Sequence, residues 1–99
     1  MFLVDIRIKS NQLSDDEKNT LMKKHQEWFK NYVVKGTFLM VGPSKTYQDA
    51  GIILAGLSDR KYLDKILSED PFYPDKAEYH INEFTPMKIL DSITDYEGK

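Results

Sequence analysis

The chain opens with Phe2-Leu3-Val4-Asp5-Ile6-Arg7-Ile8-Lys9, and the change of hydrophobic period after this stretch decides the fold. Within the stretch every second residue is apolar, which is typical of a β-strand with one face toward a core. From Ser14 onward apolar residues recur every three or four positions, which predicts a helix. Ser14 and Glu17 match a capping box at the start of this helix, and Gly36 is expected to end it.

Two short apolar runs follow, at residues 38–41 and 52–55, and glycines bound both of them. Runs without alternation are typical of strands buried on both faces. Ser58 and Asp59 open a second predicted helix, which Pro71 ends, and residues 78–84 form a last strand. Residues 89–93 are expected to add a short turn or edge segment, and the tail is expected to fray.

The order βαββαβ predicts one ferredoxin-like α+β domain over residues 1–99, with a four-stranded antiparallel sheet and two helices on one face. Two helices cannot cover both faces of the sheet. Because the two middle strands are apolar on both faces, the open face needs another partner. A second copy of the chain is the simplest partner, so we expect a homodimer in which two sheets pack face to face.

Composition excludes several classes of protein. Fourteen basic and sixteen acidic side chains are interspersed and leave a net charge of −2, without the basic patch that nucleic acid or an anionic membrane would need. The chain has no cysteine, which excludes disulfides, a thiolate nucleophile and a thiolate metal site. Asp5 comes too early for a signal peptide, and no apolar run approaches the roughly 20 residues of a membrane span. We therefore expect a cytoplasmic protein.

One histidine and one aspartate are notable for their positions beside the predicted helices. His25 lies on the apolar face of the first helix, and Asp70 follows the second helix. Histidine takes up and returns protons near neutral pH, and a carboxylate that accepts its other ring N–H stabilises the imidazolium. Each residue also has a structural interpretation, as a packed core histidine and as a turn aspartate that accepts local N–H groups.

The predicted geometry does not guarantee that the two side chains meet. His25 lies eleven residues past Ser14, about 16 Å along the helix axis. The second helix of a βαββαβ fold ends at the sheet edge where the first begins. A tilted helix, a later helix start or a contribution from a second subunit would each bring the pair together.

The chain resembles the YciI-like (YCII-related) family of the dimeric α-β barrel superfamily over nearly its whole length. The matching motifs are Lys24-His25-Gln26-Glu27-Trp28-Phe29, Met40-Val41-Gly42-Pro43 and, most specifically, Glu69-Asp70-Pro71-Phe72. The resemblance implies a homodimer with a pocket on each protomer and a catalytic pair at His25 and Asp70. Family members often have an arginine one turn before the histidine and a doubled glycine before the proline. Met22 and Val41-Gly42 stand there in this chain, which argues against an anion-binding role at position 22.

Six further residues are expected to bind the substrate: Trp28, Tyr32, Gly42, Pro43, Ser44 and Phe72. Aromatic residues at helical spacing are more often core than ligand wall, and Gly-Pro is first of all a turn signal. His80 is expected to be exposed or at the dimer interface. Two histidines so far apart make no metal motif, so neither a metal nor a cofactor is predicted.

Three classes of function are consistent with these residues. The first is a small cytoplasmic enzyme that uses His25 and Asp70 for proton abstraction or elimination, as a lyase, dehydrohalogenase or isomerase would, on a small substrate such as an aromatic-derived compound. Some family members resemble lyases that remove halide in aromatic degradation, which agrees by analogy. The second is a non-catalytic module that binds a small molecule. The third is a haem-associated oxygenase with His25 as the axial ligand.

Overall fold

Four strands and two α-helices follow one another along the chain in the predicted order, βαββαβ. The strands form one antiparallel sheet in which the second strand is an edge and the first lies inside, and this confirms the predicted ferredoxin-like α+β fold. The computed structural model describes residues 1–99, with β1 at Phe2–Ile8, α1 at Asp15–Val34, β2 at Phe38–Pro43, β3 at Ala50–Ala55, α2 at Arg60–Ser68 and β4 at Ala77–Glu83. The order of strands across the sheet is β2-β3-β1-β4.

Both ends of α1 follow local signals in the sequence. The Ser14 hydroxyl accepts the Glu17 N–H at 3.1 Å, so one of the two capping-box bonds is formed. At the other end Gly36 has a φ of +82°, a conformation that glycine adopts without steric cost. The N–H of Gly36 donates to Val33 and that of Thr37 donates to Tyr32, both at 3.0 Å. These two bonds make a Schellman motif, which stops the helix where the sequence predicts.

The start of α2 agrees with the prediction, whereas the limits of β4 differ from it by one residue. Asp59 caps α2, because its carboxylate accepts the Lys61 N–H at 3.0 Å. The helix therefore begins at Arg60 and ends at Ser68, before Pro71. Strand β4 begins and ends one residue earlier than predicted.

The core lies on one face of the sheet. Inward-facing residues of β1 are buried, whereas those between them are partly exposed. They form one cluster with apolar side chains of both helices: Phe2, Val4 and Ile6 from β1, Trp28 and Tyr32 from α1, and Leu63, Ile66 and Leu67 from α2. Both helices therefore cover the same face, as predicted.

The opposite, open face of the sheet has an apolar half and a polar half. Cross-strand partners share a face, and the pairing places Met40, Ile52 and Leu54 on the half formed by β2 and β3. The other half carries Asp5, Arg7, Glu78 and His80. The expectation that both middle strands are buried on both faces is wrong for β2 within one protomer, because β2 is an edge strand and its Leu39 and Met40 are exposed.

The chain after β4 remains exposed from residue 84 to residue 99. Phe84 donates its N–H to the carbonyl of Met1 at 2.9 Å. A short 3-10 helix at Asp91–Tyr96 is the turn expected near the C-terminus. Neither α1 nor α2 has the length and apolar content required to cross a membrane.

Candidate active site

The side chains of α1 that face α2 form hydrogen bonds to its last residues and to the loop behind it. His25 Nδ1 lies 2.7 Å from Asp70 Oδ1. Trp28 donates its indole N–H to the carbonyl of Ile66 at 3.0 Å, and Tyr32 donates its hydroxyl to Glu69. The three α1 residues are separated by three and four positions, which places them on one side of the helix. His25 and Asp70 thus meet within one chain.

The lengths of the two helices explain how the pair meets. With 20 residues, α1 is about 30 Å long. With nine residues, α2 is only about 13 Å long. Helices α1 and α2 follow the antiparallel strands β1 and β3, so they start at opposite ends of the sheet. Because α2 is short, it ends beside the middle of α1 and not beside its beginning. His25, in the eleventh position of α1, is therefore within reach of Asp70.

Asp70 is a buried carboxylate with hydrogen-bond donors at both oxygens. Its side chain is 0% exposed. Oδ1 faces His25 Nδ1 and also lies 3.4 Å from the N–H of Phe72. Oδ2 accepts the hydroxyl of Tyr79 at 2.6 Å. A buried charge is tolerated when it is paired and hydrogen-bonded, and an ionised carboxylate can only accept. The contact therefore fits the tautomer of His25 that carries its proton on Nδ1.

The second ring nitrogen of His25, Nε2, has no protein partner. No protein group bonds it, and since every fully buried side-chain nitrogen or oxygen has a partner, Nε2 has access to solvent. The His25 side chain is 13% exposed. The rings of Trp28, Phe29 and Phe72 lie 5.4–5.5 Å from the imidazole. These rings restrict the orientation of the imidazole, while its free nitrogen stays accessible.

His25 lines a cavity of about 650 Å³ between α1, β1 and the loop that joins β2 to β3. Met22 and Phe29 of α1 and Ile6 and Ile53 of the sheet contribute apolar walls, and Lys45 lies in the loop at its rim. Polar residues of the β2–β3 loop form much of the remaining lining. Apolar walls combined with polar groups are a usual form of a small-molecule site.

The β2–β3 loop is held in place by polar contacts. The Ser44 hydroxyl accepts the N–H groups of Thr46 and Tyr47, at 3.2 and 3.0 Å. Asp49, with a φ of +53°, accepts the Ser10 hydroxyl at 2.5 Å and the Lys18 ammonium at 3.4 Å. The bond from Ser10, and then Lys18, hold the pKa of Asp49 below its usual range despite its partial burial. The loop is thereby tied to the start of α1 on the opposite side of the cavity.

The cavity brings together some of the predicted binding residues and not others. Gly42, Pro43 and Ser44 line it together with His25. Trp28, Tyr32 and Phe72 do not line it and lie in the core behind the pair. Met22, at the position where the family often has arginine, is part of the apolar wall.

Tyr32 contacts a different carboxylate from that of the histidine pair. Burial, and then the hydrogen bond to Glu69, raise the pKa of Tyr32 to about 12. Its hydroxyl joins α1 to the end of α2.

Sequence reasoning missed Tyr79, which completes the shell around Asp70. The available signal was the alternation of inward and outward residues along β4. Its inward residues are Ala77, Tyr79 and Ile81, and the residues between them are exposed. The pattern predicts a half-buried tyrosine but not the position of its hydroxyl. His80 is exposed on the open face, 3.2 Å from Glu78. No group of three His, Asp or Glu side chains could hold a metal ion.

These observations define a ferredoxin-like α+β protein with a buried histidine–aspartate pair beside a small-molecule-sized cavity. The family model of the YCII-related domain matches residues 1–87. The chain therefore belongs to the YCII-related family, which confirms the resemblance in its motifs. A comparison with curated proteins gives no match.

Proposed function

We propose that this protein is a small acid–base enzyme in which His25 exchanges a proton with a substrate bound in the cavity. One observation carries the proposal: Nδ1 of His25 is 2.7 Å from a fully buried carboxylate, while Nε2 has no protein partner and the residue lines the cavity. A base that is oriented on one side and free on the other is suited to general acid–base catalysis.

The proposed reaction is proton abstraction followed by elimination or isomerisation. Nε2 takes a proton from an acidic carbon of the substrate, and Asp70 stabilises the imidazolium that results. In an elimination, the electrons of the broken C–H bond form a double bond and the leaving group departs with its own electron pair. In an isomerisation, the same imidazolium returns the proton to another carbon.

The walls of the cavity favour a small, largely apolar substrate such as an aromatic-derived compound. Phe29 and Met22 lie on the same helix face as His25 and contact the same space. An apolar wall excludes water from around the base, which strengthens its interaction with Asp70. A ring bound against Phe29 would place its substituents near Nε2.

A non-catalytic binding module is the second candidate. The observation that favours it is the packing of three aromatic rings around His25, which is also expected of a histidine with a structural role. In that case the cavity would bind a small molecule and release it unchanged.

We also propose that the chain forms a homodimer through its open sheet face. The apolar half of that face, with Met40, Ile52 and Leu54, supports this proposal. Sedimentation equilibrium at micromolar concentration should give twice the chain mass, and a monomer mass would contradict the proposal. The cytoplasm is the proposed location, since a chain without cysteine needs no oxidising compartment.

Deuterium exchange tests the catalytic proposal with a panel of compounds in place of an identified substrate. The protein is incubated in D₂O with small ring compounds that carry an acidic C–H beside a carbonyl, and mass spectrometry follows uptake of deuterium. Chlorinated members of the panel are also assayed for release of chloride. We expect exchange with part of the panel, reduced on the order of 10² to 10⁴ fold by His25→Ala.

His80→Ala is the matched control, because His80 also lies beside a carboxylate but does not line the cavity. It should retain the wild-type exchange rate. If panel members bind saturably but exchange no deuterium in any variant, the binding module becomes the better description.

A further inference from the structure

Tyr79 contacts the proposed site only through Asp70. Its hydroxyl bonds Oδ2, the carboxylate oxygen that His25 does not use. Tyr79 does not line the cavity, so it has no direct contact with a substrate bound there. Any effect of Tyr79 on proton transfer must therefore pass through the position or charge of the Asp70 carboxylate.

A carboxylate held at one oxygen can rotate about its bond to the chain, whereas one held at both oxygens has a single orientation. The Asp70 side chain is fully buried, so bulk solvent does not reach Oδ2 in the folded protein. The other contact to the carboxylate, from the Phe72 N–H, is long at 3.4 Å and goes to the same oxygen as His25. Tyr79 is thus the sole protein donor to Oδ2.

The phenol of Tyr79 is a permanent donor. Burial, and then the hydrogen bond to Asp70, raise the pKa of Tyr79 far above its usual value. The ring of Tyr73 packs at 5.5 Å against that of Tyr79 and contributes in the same direction. Tyr79 therefore keeps its proton at neutral pH and well above it.

We propose that Tyr79 is a positioning residue, which holds the Asp70 carboxylate so that it accepts from Nδ1 of His25 and leaves Nε2 unprotonated toward the cavity. This proposal deepens the proposed function and rests on it for its catalytic meaning. The titratable groups that face Asp70 are His25 from α1 and Tyr79 from β4. The adjacent Glu69 is bonded to Tyr32 instead.

The tautomer of His25 is the property that this role controls, and it can be measured without substrate. Nitrogen-15 NMR distinguishes a protonated ring nitrogen from an unprotonated one in neutral histidine. In the wild type we expect the Nδ1–H form alone. In Tyr79→Phe the carboxylate loses its second donor and can rotate, so a substantial fraction of the Nε2–H form should appear.

Tyr32→Phe is the matched control. It also removes a buried phenol that donates to a carboxylate, and that carboxylate belongs to the neighbouring residue in sequence. Its loss should leave the tautomer of His25 as in the wild type. A tautomer change confined to Tyr79→Phe supports the proposal even if deuterium exchange is never observed. An unchanged tautomer in Tyr79→Phe overturns it even if exchange is observed.

A second variant keeps the proposal testable if Tyr79→Phe does not fold. Tyr79→3-fluorotyrosine retains the ring and the hydroxyl but makes the phenol a stronger donor. Asp70 then becomes a weaker acceptor for Nδ1–H, so the Nδ1 proton resonance of His25 should move upfield relative to wild type. An Nδ1 proton resonance equal to that of the wild type would contradict the proposal.

Discussion

His25 and His80 each lie beside a carboxylate, but the surroundings of the two pairs differ. The His25 and Asp70 side chains are 13% and 0% exposed, with a separation of 2.7 Å. Those of His80 and Glu78 are 56% and 55% exposed, with a separation of 3.2 Å. Water and salt screen the second pair, whereas the first is in an environment of lower dielectric. Burial, and not the presence of a partner, makes one histidine a candidate base and the other a surface residue.

The largest expected difference between the two pairs is in stability. Asp70→Ala leaves the Tyr79 hydroxyl and the His25 Nδ1–H without an acceptor, and should lower the free energy of unfolding by about 3 kcal/mol. Glu78→Ala removes a screened pair, and should change it by less than about 0.5 kcal/mol. Urea denaturation of the two variants measures both values. Equal losses of unfolding free energy in the two variants would mean that burial does not increase the contribution of Asp70 to stability.

Tyr32 and Glu69 form a pair between these two extremes, because the phenol is buried and the carboxylate is exposed. The pKa of Tyr32 is about 12 in the folded protein against 10.0 ordinarily. A group whose pKa is raised by folding stabilises the protein below its unfolded pKa, and this contribution is lost as pH rises through the folded value. The wild type should therefore lose stability between about pH 10 and about pH 12.

Tyr32→Phe should make this alkaline loss smaller, as thermal denaturation at stepped pH can determine. Tyr96→Phe is the control, since Tyr96 lies in the exposed tail, and its alkaline profile should match that of the wild type. If both variants follow the wild-type curve, the bond from Tyr32 to Glu69 contributes nothing to stability.

The smallest effect is expected at the rim of the cavity, where Asp49 and Lys18 are each about one quarter exposed. The pKa of Asp49 is lowered in the folded state, chiefly by Ser10. This stabilisation is present above the unfolded pKa and is lost as pH falls through the folded value. Asp49→Asn should reduce the loss of unfolding free energy at acid pH by up to about 1 kcal/mol. Glu78→Gln should leave that loss as in the wild type. A smaller loss in Glu78→Gln alone would reverse our ranking of these sites.

Much of the fold could be predicted from local signals. The alternation of β1, the cap at Ser14 and the glycine at position 36 each act over a few residues, so their effect depends little on the rest of the chain. The order of elements then left few topologies to choose from. The exposure of β2 could not be predicted in this way, because its position at the sheet edge depends on which strands pair.

The candidate site was predictable only in part. Motifs identified His25 and Asp70, but the distance between them depends on where the short α2 ends beside α1. Trp28 and Tyr32 share the apolar stripe of α1 with His25, and periodicity alone does not distinguish a core position from a cavity wall. Tyr79 was predictable as an inward residue of β4 and not as a donor to Asp70.

The sequence by itself therefore determined the elements, their order, the buried faces of β1 and of the two helices, and the two residue types that could transfer a proton. The tertiary structure alone decided that His25 and Asp70 meet in one chain, that Tyr79 bonds the second oxygen of Asp70 and that His25 lines a cavity. The physical reason is the range of the forces involved. Capping and hydrophobic periodicity act between near neighbours in the chain, whereas a hydrogen bond between residues 25 and 70 exists only after the helices have packed on the sheet.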